Sequence, residues 1–151
     1  MSFEARDPDY AAKVRASFAR QSIMDLLGAR LTEVLPGEVH IELPYRADLT
    51  QQHDFLHAGV TTTIADSAGG YAAFSLMPPR SSILTIEFKV NLLAPAAGES
   101  FLAIGRVLRP GRRITTCEFE VHARQGERSK LCLTGLQTTM CLPETDDLPA
   151  G

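Results

Sequence analysis

The chain has 151 residues, 44% of them hydrophobic, and a net charge of −3. That length suits one globular domain with a real core, and the mild acidity argues against a nucleic-acid partner, which would favour a strongly basic face. Cys117, Cys132 and Cys141 form no CxxC pair and leave an odd count, which fits reduced, buried thiols in a cytoplasmic protein better than a disulfide frame or a zinc site.

The N-terminus, MSFEARDPDY, is polar and lacks a secretory-signal pattern. Asp7-Pro8 supplies a helix start, so residues 8–27 are predicted as one helix that buries Val14, Phe18, Ile23 and Leu26 and ends at Gly28. Residues 29–35 and 38–44 read as two strands around Pro36-Gly37, with Val39, Ile41 and Leu43 alternating against Glu38, His40 and Glu42. A polar loop over 45–56 follows.

The stretch 57–77, HAGVTTTIADSAGGYAAFSLM, is almost entirely apolar or small and predicts one long central helix. Pro78-Pro79 stops it. Val60, Ile64, Ala68 and Tyr71 form the stripe that faces a sheet. A single carboxylate, Asp66, interrupts the run. With two threonines it argues against a membrane span. An unpaired acid in an apolar setting is costly or takes up a proton. Asp66 shares its stripe with Thr62, Thr63, Gly69, Gly70 and Ala73, all small, so space is left beside it. Either Asp66 is a functional acid, or the glycines serve helix–sheet contact and Asp66 is an exposed polar spot.

The second half is strand-like. In 83–93, Leu84, Ile86, Phe88, Val90 and Leu92 alternate with Thr85, Glu87, Lys89 and Asn91. Strands are expected at 100–109, 113–123 and 129–141, with Thr115, Cys117, Phe119 and Val121 sharing one face. The tail, about 143–151, is expected to fray. The order is helix, two strands, long helix, four strands. It predicts a single α+β domain over 1–151, a curved antiparallel sheet wrapped around the central helix.

One helix also poses a geometric problem. Ala58 at its start and Asp66 are eight residues apart, about 12 Å along an α-helix. An acid and an amide acting on one carbonyl must each lie within roughly 3 Å of their targets. Were the two to serve one reacting group, the helix start of one subunit would have to meet Asp66 of another, and a dimer would be expected.

Within LHAGVTTTIAD, His57 is followed by Ala58-Gly59, Asp66 stands nine residues after the histidine, and Gln51 lies six before it. The strand from Thr85 runs into Leu93-Ala94-Pro95, and a Gly111-Arg112-Arg113 turn comes later. In this order the features resemble the hotdog-fold acyl-CoA thioesterases of the PaaI-like group, relatives of 4-hydroxybenzoyl-CoA thioesterase, over roughly residues 25–141. The resemblance implies a hotdog fold and hydrolysis of an acyl-CoA thioester. It implies no cofactor beyond the substrate's own coenzyme A, and a homodimer or a homotetramer of dimers. By position it makes Asp66 the nucleophile or general base and the Ala58 N–H the donor that polarises the thioester oxygen. Gln51 would position the acyl carbonyl or the water, Thr85 would sit near the attacking water, and His57 would orient its loop. Gly59, His53 and Gly70 would belong to the substrate's surroundings. The chain departs from the motif at Ala58, where the family usually has glycine. Alanine keeps the N–H but adds a Cβ and disfavours positive φ.

Other candidates stay open. Arg106, Arg109, Arg112 and Arg113 surround a Pro-Gly turn, as a clamp for the phosphates of coenzyme A or as a solvated hairpin. His53 and Asp54 lack further ligands at useful spacing, so no metal is expected. His40 and His122 fall at surface strand positions. Tyr71, Phe74 and Phe55 shape a pocket or the core. No Gly-x-Ser-x-Gly elbow is present. Two other readings remain: a non-catalytic acyl-CoA-binding or regulatory module in which Ala58 marks a lost oxyanion site, and a hotdog dehydratase, for which the helix lacks the histidine.

Overall fold

In the computed structural model, which describes residues 2–149, two short helices, α1 (Tyr10–Ala19) and α2 (Ser22–Leu27), precede β1 (Arg30–Leu35) and β2 (Glu38–Pro44). The central helix α3 (Ala58–Phe74) follows, then β3 (Ser81–Leu92), β4 (Ser100–Arg109), β5 (Ile114–Gln125) and β6 (Arg128–Pro143). The strands form one antiparallel sheet in the order β1-β2-β4-β5-β6-β3. It curves around α3, which packs chiefly on β4, β2 and β5. This is the curved antiparallel sheet around one helix expected from the element order, and the hotdog fold that the resemblance implies. Among the described residues no helix is long and apolar enough to cross a membrane.

Small residues let the sheet close on the helix. A Cβ at Gly105 of β4 would collide with the backbone at Ala68, so strand and helix meet main chain to main chain. Around that contact Phe74, Phe101 and Phe119 are fully buried, each contributing roughly 1.5–3 kcal/mol. Ile64, Ala68 and Tyr71 face inward as predicted, while Val60 is half-buried. The expected inward face of β5 is also observed, with Thr115, Cys117, Phe119 and Val121 all buried. The three cysteines are free and buried.

The N-terminal segment differs from the single helix expected over 8–27. Helix α1 starts at Tyr10, with the Asp7 carboxylate accepting from the Asp9 N–H at 2.9 Å. The chain breaks at Arg20 and Gln21, where Gln21 takes an extended conformation (ψ 97°). The break shifts the helical phase. Met24 and Leu27 are buried in place of Ile23 and Leu26, which are 44% and 67% exposed. Gly28 closes α2 in the left-handed region (φ 74°), as predicted. Lys13 fastens α1 to the far end of α3: its ammonium pairs with Asp7 (3.1 Å) and donates to the Met77 and Pro78 carbonyls.

Strand β3 also departs from its expected alternation. Thr85 pairs with Thr139 and Glu87 with Thr138, so Ile86 is an extra, bulged residue. The bulge inverts the phase upstream of it. Thr85 joins Phe88, Val90 and Leu92 on the side facing the helix, and Leu84 turns outward. As an edge strand β3 leaves Leu84, Ile86, Phe88 and Leu92 between 41% and 59% exposed. At the other terminus β6 runs through Pro143, and beyond it Asp146 pairs with Arg80 (3.3 Å) and Asp147 with Arg20 (2.7 Å). The segment expected to fray is therefore anchored by side chains as far as Asp147; residues 150 and 151 lie outside the described residues.

Candidate active site

Asp66 sits midway along α3 at the rim of a cavity of about 310 Å³ whose wall includes Ser17, Gln21, Gly70, Tyr71 and Thr85. Its Oδ1 accepts from the Thr85 hydroxyl at 2.8 Å and from Gln137 Nε2 at 2.5 Å. The same Gln137 amide reaches the Thr85 hydroxyl (3.0 Å) and the Asp66 carbonyl (3.1 Å). Among the described residues Oδ2 has no hydrogen-bond partner, so one carboxylate oxygen is fixed and the other is free. Burial raises the Asp66 pKa above the ordinary carboxylate range, and the hydrogen bonds from Thr85 and Gln137 work against that rise. Asp66 is thus a partly buried, perturbed acid in a cavity and not an exposed polar spot.

Three structural details build this half of the site. The β3 bulge aims Thr85 at the helix. The α1–α2 break places Gln21 in the cavity wall, where its carbonyl accepts from Ser67 (3.2 Å) and its amide donates to the Tyr71 hydroxyl (3.0 Å). Gly69 makes room for Gln137, because a Cβ there would collide with Gln137 Oε1. Gly70, by contrast, borders open space. The small residues beside Asp66 therefore serve two ends: one admits a partner for the acid, the other admits the cavity.

Gln137 is the residue that sequence reasoning missed. It is fully buried, and its Oε1 is the one buried side-chain polar atom without a hydrogen-bond partner among the described residues. Such an orphan costs about 1–3 kcal/mol. A signal existed: Leu133, Gly135, Gln137, Thr139 and Cys141 share one parity of β6 and are the helix-facing set. A glutamine amid that set stands where core residues belong.

The start of α3 builds a second, separate groove. His57 caps the helix, its Nδ1 accepting from the Gly59 N–H at 2.8 Å. Its carbonyl accepts from Val60 and Thr61, while the Ala58 N–H has no partner among the described residues. Ala58 has negative φ, since the positive-φ non-glycine residues are Asp54 and Glu144. The alanine is therefore accommodated without strain, and its N–H stays available. Ala58 lines a groove of about 480 Å³ with Gln51, Phe55 and Leu92. Gln51 Oε1 accepts from the His53 N–H, and the turn is closed by a Gln51 N–H bond to the Phe55 carbonyl at 2.9 Å. His53 and Gly59 are exposed beside it.

The structure thus brings Asp66, Thr85 and Gly70 together at one place and Ala58 and Gln51 at another. The four-arginine cluster does not form. Arg106 is committed to Glu38 (3.1 Å) and Glu120 (3.5 Å) on the outer face of the sheet, beside His40 and His122. Arg109, Arg112 and Arg113 are exposed, and Arg112 borders a different hollow with Leu76 and Met77. Of the three aromatic candidates, Phe74 is core, Tyr71 borders the Asp66 cavity, and Phe55 borders the groove. Burial raises all three cysteine thiols, Cys117 to about 12, and Cys132 borders the Ala58 groove.

A profile of the thioesterase superfamily matches residues 53–130, which include Ala58, Asp66 and Thr85 but neither Gln51 nor Gln137. A thioesterase family protein from Silicibacter pomeroyi is 49% identical and superposes with a TM-score of 0.87, over 89% of this chain and 98% of that one. A Halobacterium salinarum protein with a provisional esterase name is 29% identical over 118 residues, 75% of this chain and 78% of its own length. The Escherichia coli PaaI protein of the phenylacetic acid degradation operon superposes with a TM-score of 0.82 at 17% identity, over 91% of this chain and 96% of that one, a likeness of fold alone.

Proposed function

Because the chain belongs to the thioesterase superfamily, we propose that it hydrolyses an acyl-CoA thioester to a free acid and coenzyme A, with Asp66 as the catalytic carboxylate. What carries the reading is the asymmetric hold on that acid: Oδ1 fixed by Thr85 and Gln137, Oδ2 free at the cavity. A carboxylate presented this way can take the proton of an attacking water, or attack the acyl carbon itself. In the first route the water oxygen bonds to the acyl carbon and the carbon–sulfur bond breaks to give the free acid. In the second that bond breaks as an acyl–Asp66 anhydride forms, and a water then cleaves the anhydride to the free acid and restores the carboxylate. In both, coenzyme A leaves as the thiolate and takes a proton.

The oxyanion that forms needs donors. The unpartnered Ala58 N–H, at a helix N-terminus with its partial positive charge, suits that role, with Gln51 beside it to orient the acyl carbonyl or the water. Within one chain this donor and Asp66 open onto different hollows. Pairing of two protomers would bring the Ala58 groove of one to the Asp66 cavity of the other. The long β3 edge, with its exposed Leu84, Ile86 and Phe88, supplies a surface for such pairing. Arg112 and Arg113 offer exposed guanidinium groups to the phosphates of coenzyme A.

Thiol release from short aliphatic and aromatic acyl-CoAs tests the assignment, with wild type beside Asp66→Ala and Asp66→Asn. Wild type should turn over, and both variants should lose roughly 10²–10⁴-fold in kcat. Undiminished hydrolysis in both variants would end the role of Asp66. Tight binding without turnover in wild type would support an acyl-CoA-binding module instead.

A further inference from the structure

We infer that Gln137 is a positioning residue for hydrolysis: it is kept in the core to hold the Asp66 carboxylate and the Thr85 hydroxyl in one fixed arrangement, at a cost in stability to the fold. The inference rests on the assignment of Asp66 as the catalytic acid.

The geometry carries it. From β6, 71 residues beyond Asp66 in sequence, one amide nitrogen reaches Asp66 Oδ1, the Asp66 carbonyl and the Thr85 hydroxyl within 3.1 Å. It thereby ties α3, β3 and β6 together at the acid. Thr85 by itself is a rotor whose hydroxyl can donate elsewhere. With the amide nitrogen donating into the Thr85 oxygen, that hydroxyl hydrogen is directed to Asp66. Both donors converge on Oδ1, which leaves Oδ2 as the oxygen that points to substrate or water.

The other end of the same side chain argues against a purely structural role. Gln137 Oε1 is buried beside Gly69 and Phe119 and has no partner among the described residues. A residue kept for packing alone would do better as an apolar side chain of the same length, which leaves no orphaned carbonyl. Gly69 adds to this, because the helix gives up a side chain there to admit the amide. Stability is given up at two positions, and what is gained is an ordered carboxylate.

Gln137→Met preserves length and volume, and Gln137→Leu is a second apolar form. Both are compared with wild type and Asp66→Ala for melting temperature, kcat, KM and the pH profile of kcat. Positioning predicts that Gln137→Met melts at or above the wild-type temperature. Its kcat should fall on the order of tenfold with KM little changed. The acid limb of its profile should move to higher pH, since the carboxylate loses a donor that favours its ionised form. Wild-type kcat and an unmoved acid limb in a folded variant would overturn the inference. So would a melting temperature that drops along with activity, or failure of both variants to fold, because each would make Gln137 a structural residue. Asp66→Ala keeps the two claims apart: if it retains full activity, the assignment of the acid fails, whatever Gln137 does.

Discussion

The Ala58 groove and the Asp66 cavity, the two halves of the proposed site, are built in opposite ways. The Ala58 groove takes its polar groups from one short piece of chain. Loop 51–57 and the first turn of α3 supply the cap, the free N–H and the amide, while residues 92–96 and Cys132 add an apolar wall. The Asp66 cavity is assembled from distant segments, with Thr85 from β3, Gln137 from β6 and Gln21 from the break between α1 and α2. A helix terminus makes an anion-binding donor from its own geometry and needs little help. An acid in the middle of a helix has no local partner to set its proton affinity, so tertiary contacts must do it. The molecule therefore places an unpartnered N–H at the helix start and an acid perturbed by burial on the same helix, about 12 Å apart.

The strongest way to break this comparison is to remove the donor while leaving the helix intact. Ala58 occupies the first helical position, and His57 before it is extended (ψ 137°), so proline fits both backbones. Ala58→Pro should fold normally and lose roughly 10²–10³-fold in kcat; full activity would remove Ala58 from the mechanism. Mixing it with Asp66→Ala sharpens the point. In shared sites, random exchange makes half the dimers mixed and leaves one intact site in each, so activity should recover to about a quarter of wild type. No recovery after verified exchange would place both halves within one protomer.

On the acid side, Thr85→Val removes one donor from Asp66 and should lower kcat roughly tenfold. Its acid limb should move to higher pH, because a lost hydrogen bond favours the protonated acid. An unmoved limb would separate Thr85 from the titration. Local and distant construction also predict different stability costs. His57→Ala loses a helix cap and should destabilise by about 1 kcal/mol in chemical denaturation.

The smallest effect concerns Asp66 and pH. Burial raises its folded pKa above the unfolded value, so its favourable contribution is complete below the unfolded pKa and is lost as pH rises through the folded one. Asp66→Asn should accordingly melt slightly higher than wild type at neutral pH, with the gap closing in acid. A variant that melts lower than wild type at neutral pH, with the deficit vanishing in acid, would show instead that the ionised carboxylate is well stabilised.

Sequence reasoning reached the two halves unequally for the same reason. Period and composition located α3, its lone acid and its start, and the resemblance attached roles to Asp66 and Ala58. The prediction of one helix over 8–27 missed the break at Gln21, because nothing in the apolar spacing marks a turn there. Thr85 was singled out by the resemblance, but strict alternation in β3 put it with Glu87 and Lys89, away from Phe88. Only the bulge at Ile86 brings it to the helix face.

By itself, then, the sequence determined the order of elements, the wrapped helix and the identity of its one acid, since these follow from hydrophobic period and local capping. Tertiary structure decided which donors meet Asp66, which of its oxygens stays free, and that Arg106 belongs to Glu38 and Glu120. Those outcomes depend on strand register and on contacts between residues tens of positions apart. Local patterning leaves such contacts open until the whole sheet has closed on the helix.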